Sequence, residues 1–539
     1  MLSTIQSNII EPYMVLRQTL GPLKLSRWQL TKIMAKAMLF GSVLRSIFVA
    51  SVIAFAFYLL WYSVFGEKHT EKILDLPVFK TNASHCDDII KEGQKKYPND
   101  PFVVVNKRFS FVVYPATVWD ELKRIPEHTA SVAGYMHHCN SGDWSLVGNE
   151  TQELWKTMNV DLTRALPAHL GNLQEDIALA FDTVVGRSTK PHEKWHMFTT
   201  VGLMGRLNAT SFAGRDLGFR AAWYWSVTLA PVFAHFANTL LKMLPDFLKP
   251  LARPIFYAPV LLDHQFMRQM LYPIIDKNTK EFREAKDPKE PMAPKPGKNL
   301  PFTAFLLARY KDGAATPHQL STDIIQASYT SIPSTSTSLY HALWNLAQRP
   351  EAQEILRKEV EEVMIDGKLP STHLQELKRM DSFLRESLRL HPITHFALQR
   401  RVNKPLKLSI GPELPVGTLI VLDAQAINRS PELYDNPNEF DMDRFWRLRQ
   451  IPGNDGKYHA VTANATAPIW GDGAQACPGR YYGVCVLKIS LAHVLMNYDI
   501  ELKGGPRPLK PIPVPNGTFG PDPSVKMIWK YKGKNPSPA

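Results

Sequence analysis

Residues 470–498 read WGDGAQACPGRYYGVCVLKISLAHVLMNY, a glycine-rich loop that presents Cys477 and runs directly into an apolar helical stretch. A sulfur at the start of a helix sits in the partial positive charge of unsatisfied amides. That favours the thiolate, which is the metal-binding form. Glycines at 471, 473 and 479 allow close backbone approach to a flat cofactor and let N–H groups turn toward the sulfur. Taken alone, the same spelling also fits an inert, half-buried cysteine after a turn. The segments upstream decide between the two.

Glu386-Ser387-Leu388-Arg389 lies in a helical pattern from about Leu377 to Leu390 that stops before Pro392. A spacing of three puts the two charges on one helix face. Asp443-Arg444-Phe445, in a later loop, offers a second guanidinium to the same carboxylate. Further upstream, His318 to Arg349 is one long helical pattern, and Pro350 opens a second helix, EAQEILRKEVEEVM, with its apolar residues on one face. The run PFVVVNKRFSFVVY (101–114) alternates as strands do, and LKLSIGPELPVGTLIVLDA (406–424) predicts two short strands joined by turns at Gly411-Pro412 and Pro415-Val416-Gly417. The predicted class is α+β, mostly helical with small sheets.

The chain has 539 residues, 45% hydrophobic and 21% charged, which excludes a disordered or fibrous protein. Its four cysteines form no CxxC pair, so neither a disulfide framework nor a zinc cluster is predicted. A net charge of +13 suits an acidic protein partner or an anionic membrane surface. Nucleic acid is not the expected partner, because the basic residues are dispersed and no nucleic-acid-binding motif occurs. The run Lys286–Lys298 reads as a surface loop or a linker, and no internal repeat is found.

Ser46 to Phe65 is a run of 20 uncharged residues. As a helix it spans about 30 Å, the thickness of a bilayer core. A buried core helix and a cleaved signal peptide are its competing readings. The expected organisation is a basic segment (1–45), one transmembrane helix (46–65) and a single folded domain (66–539). Six basic residues against Glu11 in the first segment place the N-terminus in the cytosol and the body in the lumen by charge alone; the same composition permits a mitochondrial presequence.

In this order the motifs resemble those of the cytochrome P450 family of haem-thiolate enzymes. The family's ExxR helix is matched by Glu386 and Arg389, its meander arginine by Arg444, and its FxxGxxxCxG loop by Trp470, Gly473, Cys477 and Gly479. The phrases SLYHALWNLAQRPE, MDSFLRESLRLHP and CPGRYYG look most like filamentous-fungal members of secondary metabolism, and the resemblance spans about residues 75–535. It implies haem b with Cys477 as the axial thiolate, Trp470, Gly473 and Gly479 against the haem, and Arg401 at a propionate. Glu386, Arg389 and Arg444 are then structural.

The implied activity is insertion of one oxygen atom from O2 into a bulky hydrophobic small molecule, terpenoid or alkaloid-like, by a monomeric enzyme. Electrons come from NADPH through cytochrome P450 reductase. Family topology reverses the charge argument: a single-pass anchor in the endoplasmic reticulum membrane with the catalytic domain in the cytosol. Of six N-x-S/T sequons, at Asn82, Asn149, Asn208, Asn428, Asn464 and Asn516, several fall in regions such a fold should bury, which favours chance occurrence and a cytosolic body. Arg480 and Lys488, beside the loop, are expected to help dock the acidic reductase.

Several positions depart from the family. Where it usually writes Ala-Gly-x-acid-Thr-Thr on the long helix, this chain has Thr330-Ser331-Ile332-Pro333-Ser334-Thr335, without a carboxylate. Pro333 has no N–H for the carbonyl of Tyr329, which predicts an opened helix there. Ser334, with Thr335 beside it, is the expected catalytic hydroxyl; the alternative is that both merely bond helix carbonyls. Trp470 replaces phenylalanine, and its indole N–H is expected to reach toward the sulfur. Ala474 and Gln475 replace a basic residue and a histidine, leaving Arg401 as the expected propionate contact.

In family topology, 131–139, 326–331, 395–398 and 517–519 approach the distal pocket, made apolar by Phe396, Leu398 and Phe519, with His395 as a wall residue. The losses keep two other readings: a same-fold isomerase or dehydratase that does not activate O2, and a non-catalytic haem- or lipid-binding descendant.

Overall fold

The long helix is the axis of the fold. Thr316 caps it by accepting from the Gln319 amide while the Gln319 side-chain oxygen accepts from the Thr316 amide, and Pro317 occupies its first turn. It then runs unbroken from Pro317 to Ala347, buried along nearly its whole length, and packs on the helix His196–Ala213. The computed structural model describes residues 74–81, 87–105, 110–245, 248–287, 289–293, 300–510, 512–513 and 519–533. The predicted span 46–65 and the sequons at Asn82 and Asn516 lie outside these. No helix among the described residues is long and apolar enough to cross a membrane. The chain divides into Met1–Lys72 and Ile73–Ala539, and the architecture below is that of the second unit.

Pro350 starts the next helix, Pro350–Val363, and the Glu–Arg helix runs Lys378–Leu390, both close to their predicted bounds. The helix after the cysteine loop, Arg480–Asn497, is buried on almost every side and joins the same apolar core. The strands β1 (Val78–Lys80), β2 (Phe102–Val105), β3 (Ser110–Tyr114), β4 (Ala130–Ser131), β5 (His192–Trp195), β6 (Phe396–Val402) and β7 (Leu419–Asp423) are short. All but β5 form one sheet in the order β1-β2-β3-β7-β6-β4. β5 pairs with the strand Lys526–Tyr531 in a smaller sheet. Of the two strands expected in 406–424 only the second forms; the first is reduced to a single bridge between Leu406 and Leu414.

β6 carries a bulge. Ala397 pairs with Leu422 and Arg400 with Ile420, so Leu398 and Gln399 face one residue of β7, and Leu398 sits at φ 44°. Such a bulge re-aims side chains at the edge of a site. Among the described sequons, Asn208 and Asn428 are buried, whereas Asn149 and Asn464 are exposed.

Candidate active site

A cavity of about 600 Å³ lies between the long helix, β6 and the cysteine loop. Cys477 lines it, deep in the fold yet open to this space. The Cys477 N–H donates to the Trp470 carbonyl at 2.7 Å and closes the loop. Burial pushes the thiol up, against the expectation from its place at a helix start. The amides of Gly479 and Arg480 and the Arg480 charge pull the other way.

The loop is fastened to a distant stretch of chain. Trp119 Nε1–H donates to Asp472 at 2.8 Å. Gln475 Oε1 accepts from the Val132 amide at 2.9 Å, and its Nε2 donates to the carbonyls of Ile125 and Ala130, each at 3.1 Å. Gln475 thus seats the loop without a histidine. Gly473 was expected against the haem, but it is absent from the cavity wall. At φ 68° it packs on Lys123, where a methyl group would lie 2.4 Å from the carbonyl oxygen. Trp470 does line the cavity, but its indole N–H donates to the Ala460 carbonyl at 2.7 Å, not toward the sulfur. Gly479 lines the cavity as expected.

Glu386, Arg389 and Arg444 come together beneath this loop. The fully buried Glu386 takes a fork from Arg389 at 2.7 and 2.8 Å, Arg444 Nε at 3.1 Å and the Asp441 amide at 3.1 Å. The guanidiniums spend their other donors on carbonyls of Asn428, Pro437 and Asp435. None of the three reaches the cavity. Lys488, expected at a docking surface, is instead buried and paired with Asp381 at 2.7 Å.

Thr330, Ser331, Ser334, Thr335 and Ser338 bring hydroxyls to the cavity from one face of the long helix. The helix continues through Pro333, whose ring leaves the Tyr329 carbonyl without its usual N–H donor. Ser334 Oγ lies within bonding distance of the Thr330 and Ser331 carbonyls, at 3.2 and 3.0 Å, so its proton rests on the backbone. Thr335 donates to the Ser331 carbonyl at 2.7 Å and accepts from Asn208 Nδ2 at 3.0 Å. Asn208 Oδ1 in turn accepts from Tyr482, on the helix after the cysteine.

Arg401 does not line the cavity; Arg400 does. Neighbouring residues of a strand point to opposite faces. Arg400 is 1% exposed, with Nε and Nη2 unpaired, and burial lowers its pKa to about 10. Glu150 also reaches the cavity, from the loop before the helix Gln152–Lys156, and burial pushes its carboxyl up. Phe396 and Leu398 line the wall as expected; His395 faces a different cavity, and the Phe519 side chain lies outside the described residues.

These residues fit a haem. An unpaired guanidinium fork matches a carboxylate side arm. Gly483 lines the cavity, and a Cβ added there would meet nothing within 4 Å, leaving room for a flat ring.

A family model for cytochrome P450 matches residues 228–525. A cytochrome P450 monooxygenase (CYP4) of Pyricularia oryzae is 50% identical over 99% of both chains. Pyrichalasin C-18 hydroxylase of Pyricularia grisea is 46% identical over 97% of this chain and 98% of its own. Among solved structures, retinoic acid bound cyanobacterial CYP120A1 superposes with a TM-score of 0.61 at 14% identity, covering 86% of this chain and all of its own, a likeness of fold. With the cysteine loop, the Glu–Arg pair and full-length relatives in agreement, the chain belongs to the cytochrome P450 family and is an oxidoreductase of its monooxygenase class.

Proposed function

We propose that this enzyme inserts one oxygen atom from O2 into a bulky hydrophobic molecule, terpenoid or alkaloid-like, of a fungal secondary-metabolite pathway, using electrons from NADPH through a reductase. The observation that carries the reading is the cavity: a buried cysteine sulfur at one wall, a row of hydroxyls at another, and Phe396 and Leu398 between. Haem bound there supplies dioxygen activation and C–H oxidation. The chain does the rest. Cys477 offers a sulfur whose charge the Gly479 and Arg480 amides stabilise. Arg400 holds a carboxylate, and the apolar wall excludes water from the reacting carbon. Ser334 keeps a proton parked on helix carbonyls, to be released by rotation of its hydroxyl.

Co-expression with a fungal NADPH reductase, under labelled dioxygen, tests this. A substrate that disappears while a product carrying one labelled atom forms supports it. The name of pyrichalasin C-18 hydroxylase makes that skeleton a sensible first member of the panel. The helix face lacks a carboxylate, which favours a second reading as an isomerase or dehydratase; turnover without reductase or dioxygen would establish that one. If Ser334→Ala leaves the coupling of reductant to product unchanged, Ser334 has no part in proton delivery.

For location we propose the endoplasmic reticulum membrane with the catalytic domain in the cytosol. The apolar run 46–65 supports it, as do the exposed side chains of Phe233, Phe236, Leu251, Ile255 and Leu262 on the helices Ala221–Lys242 and Lys249–Glu284, a face that suits a lipid surface.

A further inference from the structure

Ser334 and Thr335 stand side by side at the haem cavity, and the protein around them treats the two hydroxyls differently. Thr335 is buried, and its proton goes to the Ser331 carbonyl at 2.7 Å. A carbonyl can only accept, so in its other bond, to Asn208 at 3.0 Å, Thr335 Oγ1 must be the acceptor. That fixes the Asn208 amide. Nδ2 faces Thr335, and Oδ1 is left to accept from Tyr482 Oη at 3.1 Å. A phenol has one proton, so Ser211 Oγ, 2.8 Å from Tyr482, supplies the remaining one. Donation therefore runs in one direction, from Ser211 through Tyr482, Asn208 and Thr335 to the backbone of the long helix.

The chain ties three helices together. Asn208 lies on His196–Ala213 and is fully buried; Tyr482 lies on Arg480–Asn497, the helix that follows the cysteine. Burial pushes the Tyr482 phenol well up, so it keeps the proton it donates. Turning the Thr335 hydroxyl toward the cavity would leave the buried amide of Asn208 half satisfied, which the low-dielectric interior penalises. Ser334 has no such tether. It is half-buried, its bonds to the Thr330 and Ser331 carbonyls are longer, at 3.2 and 3.0 Å, and no described residue donates to its oxygen. Both carbonyls already serve the helix ladder, so rotation of Ser334 leaves nothing unpaired.

We propose that Asn208 is a positioning residue that sorts the two hydroxyls: its amide locks Thr335 onto the helix backbone and leaves Ser334 to donate to a haem-bound ligand, a role that rests on the function proposed for this cavity. The haem-loaded, full-length enzyme tests this without turnover, through the infrared C–O stretch of its ferrous carbon monoxide complex, which falls when a donor reaches the ligand oxygen. Ser334→Ala should raise the frequency, and Thr335→Val should leave the band in place. Asn208→Leu should add a second band at lower frequency, which disappears when Thr335→Val is added. A neutron structure of the unmutated enzyme, free of any folding defect in the variants, should show Nδ2 deuterons on Thr335 and the Thr335 deuteron on Ser331. A shift with Thr335→Val, no shift with Ser334→Ala, a single parental band in Asn208→Leu, or an amide turned the other way would each overturn the proposal. Failure of the parent to incorporate labelled oxygen would instead overturn the proposed function, and the infrared bands would still decide which hydroxyl donates.

Discussion

Asp323 offers a charge experiment inside the long helix. It is fully buried and accepts hydrogen bonds from Tyr310 Oη at 2.7 Å and Thr151 Oγ1 at 3.0 Å. Burial pushes its carboxyl from 3.8 up to about 6; the two hydrogen bonds resist the rise and the charge of Glu153 adds to it. Between those values the folded protein keeps a proton that the unfolded chain has lost. Stability therefore falls as pH rises through this window and levels off above about pH 6. A shift of about two units corresponds to about 3 kcal/mol. Asp323→Asn is neutral at every pH and nearly the same shape, and the two hydroxyls can rotate to accept from its amide. The variant should exceed the parent by about 1 kcal/mol at pH 4.5 and by about 3 kcal/mol at pH 7.5. Guanidinium unfolding midpoints at both pH values, taken at equal haem occupancy and converted with a common slope, measure this. A stability difference that does not change with pH, or a parent more stable than the variant at pH 7.5, refutes the reasoning.

Glu386→Gln leaves two buried guanidiniums without their anion and should cost about 3–5 kcal/mol in the same unfolding assay; a loss below about 1 kcal/mol would show that the surrounding carbonyls suffice. Arg400→Leu should raise the stability of haem-free protein, because it removes an unpaired buried charge, while lowering haem content by absorbance; Arg401→Leu should leave haem content unchanged. Gly473→Ala forces a methyl group onto the Lys123 carbonyl at a positive φ, so accelerated haem loss to an apo-globin scavenger is expected, and parental retention would mean that the loop relaxes freely.

The helices were legible because their punctuation is local: Pro350 begins a helix, and the Glu–Arg helix ends just before Pro392. Cys477, Trp470 and Gly479 were likewise readable as a loop that lines the cavity. What the sequence hid was orientation. Arg400 and Arg401 are the same residue type side by side, and only the pairing of β6 says which faces inward. Pro333 looked like a break, yet the helix continues through it, carried by the buried residues on either side. Lys488 looked solvated because nothing local announces Asp381, more than one hundred positions earlier. Glu150 had no signal, since its place depends on the loop that carries it.

The ties from Asp472, Gly473 and Gln475 to Trp119, Lys123 and the 125–132 stretch join positions about 350 residues apart. A ribosome must therefore deliver nearly nine-tenths of the polypeptide before the metal-binding sulfur can find its seat. Until then the early strands wait with an unfinished socket, and premature termination anywhere before that point yields a chain unable to retain pigment, however well its first helices form.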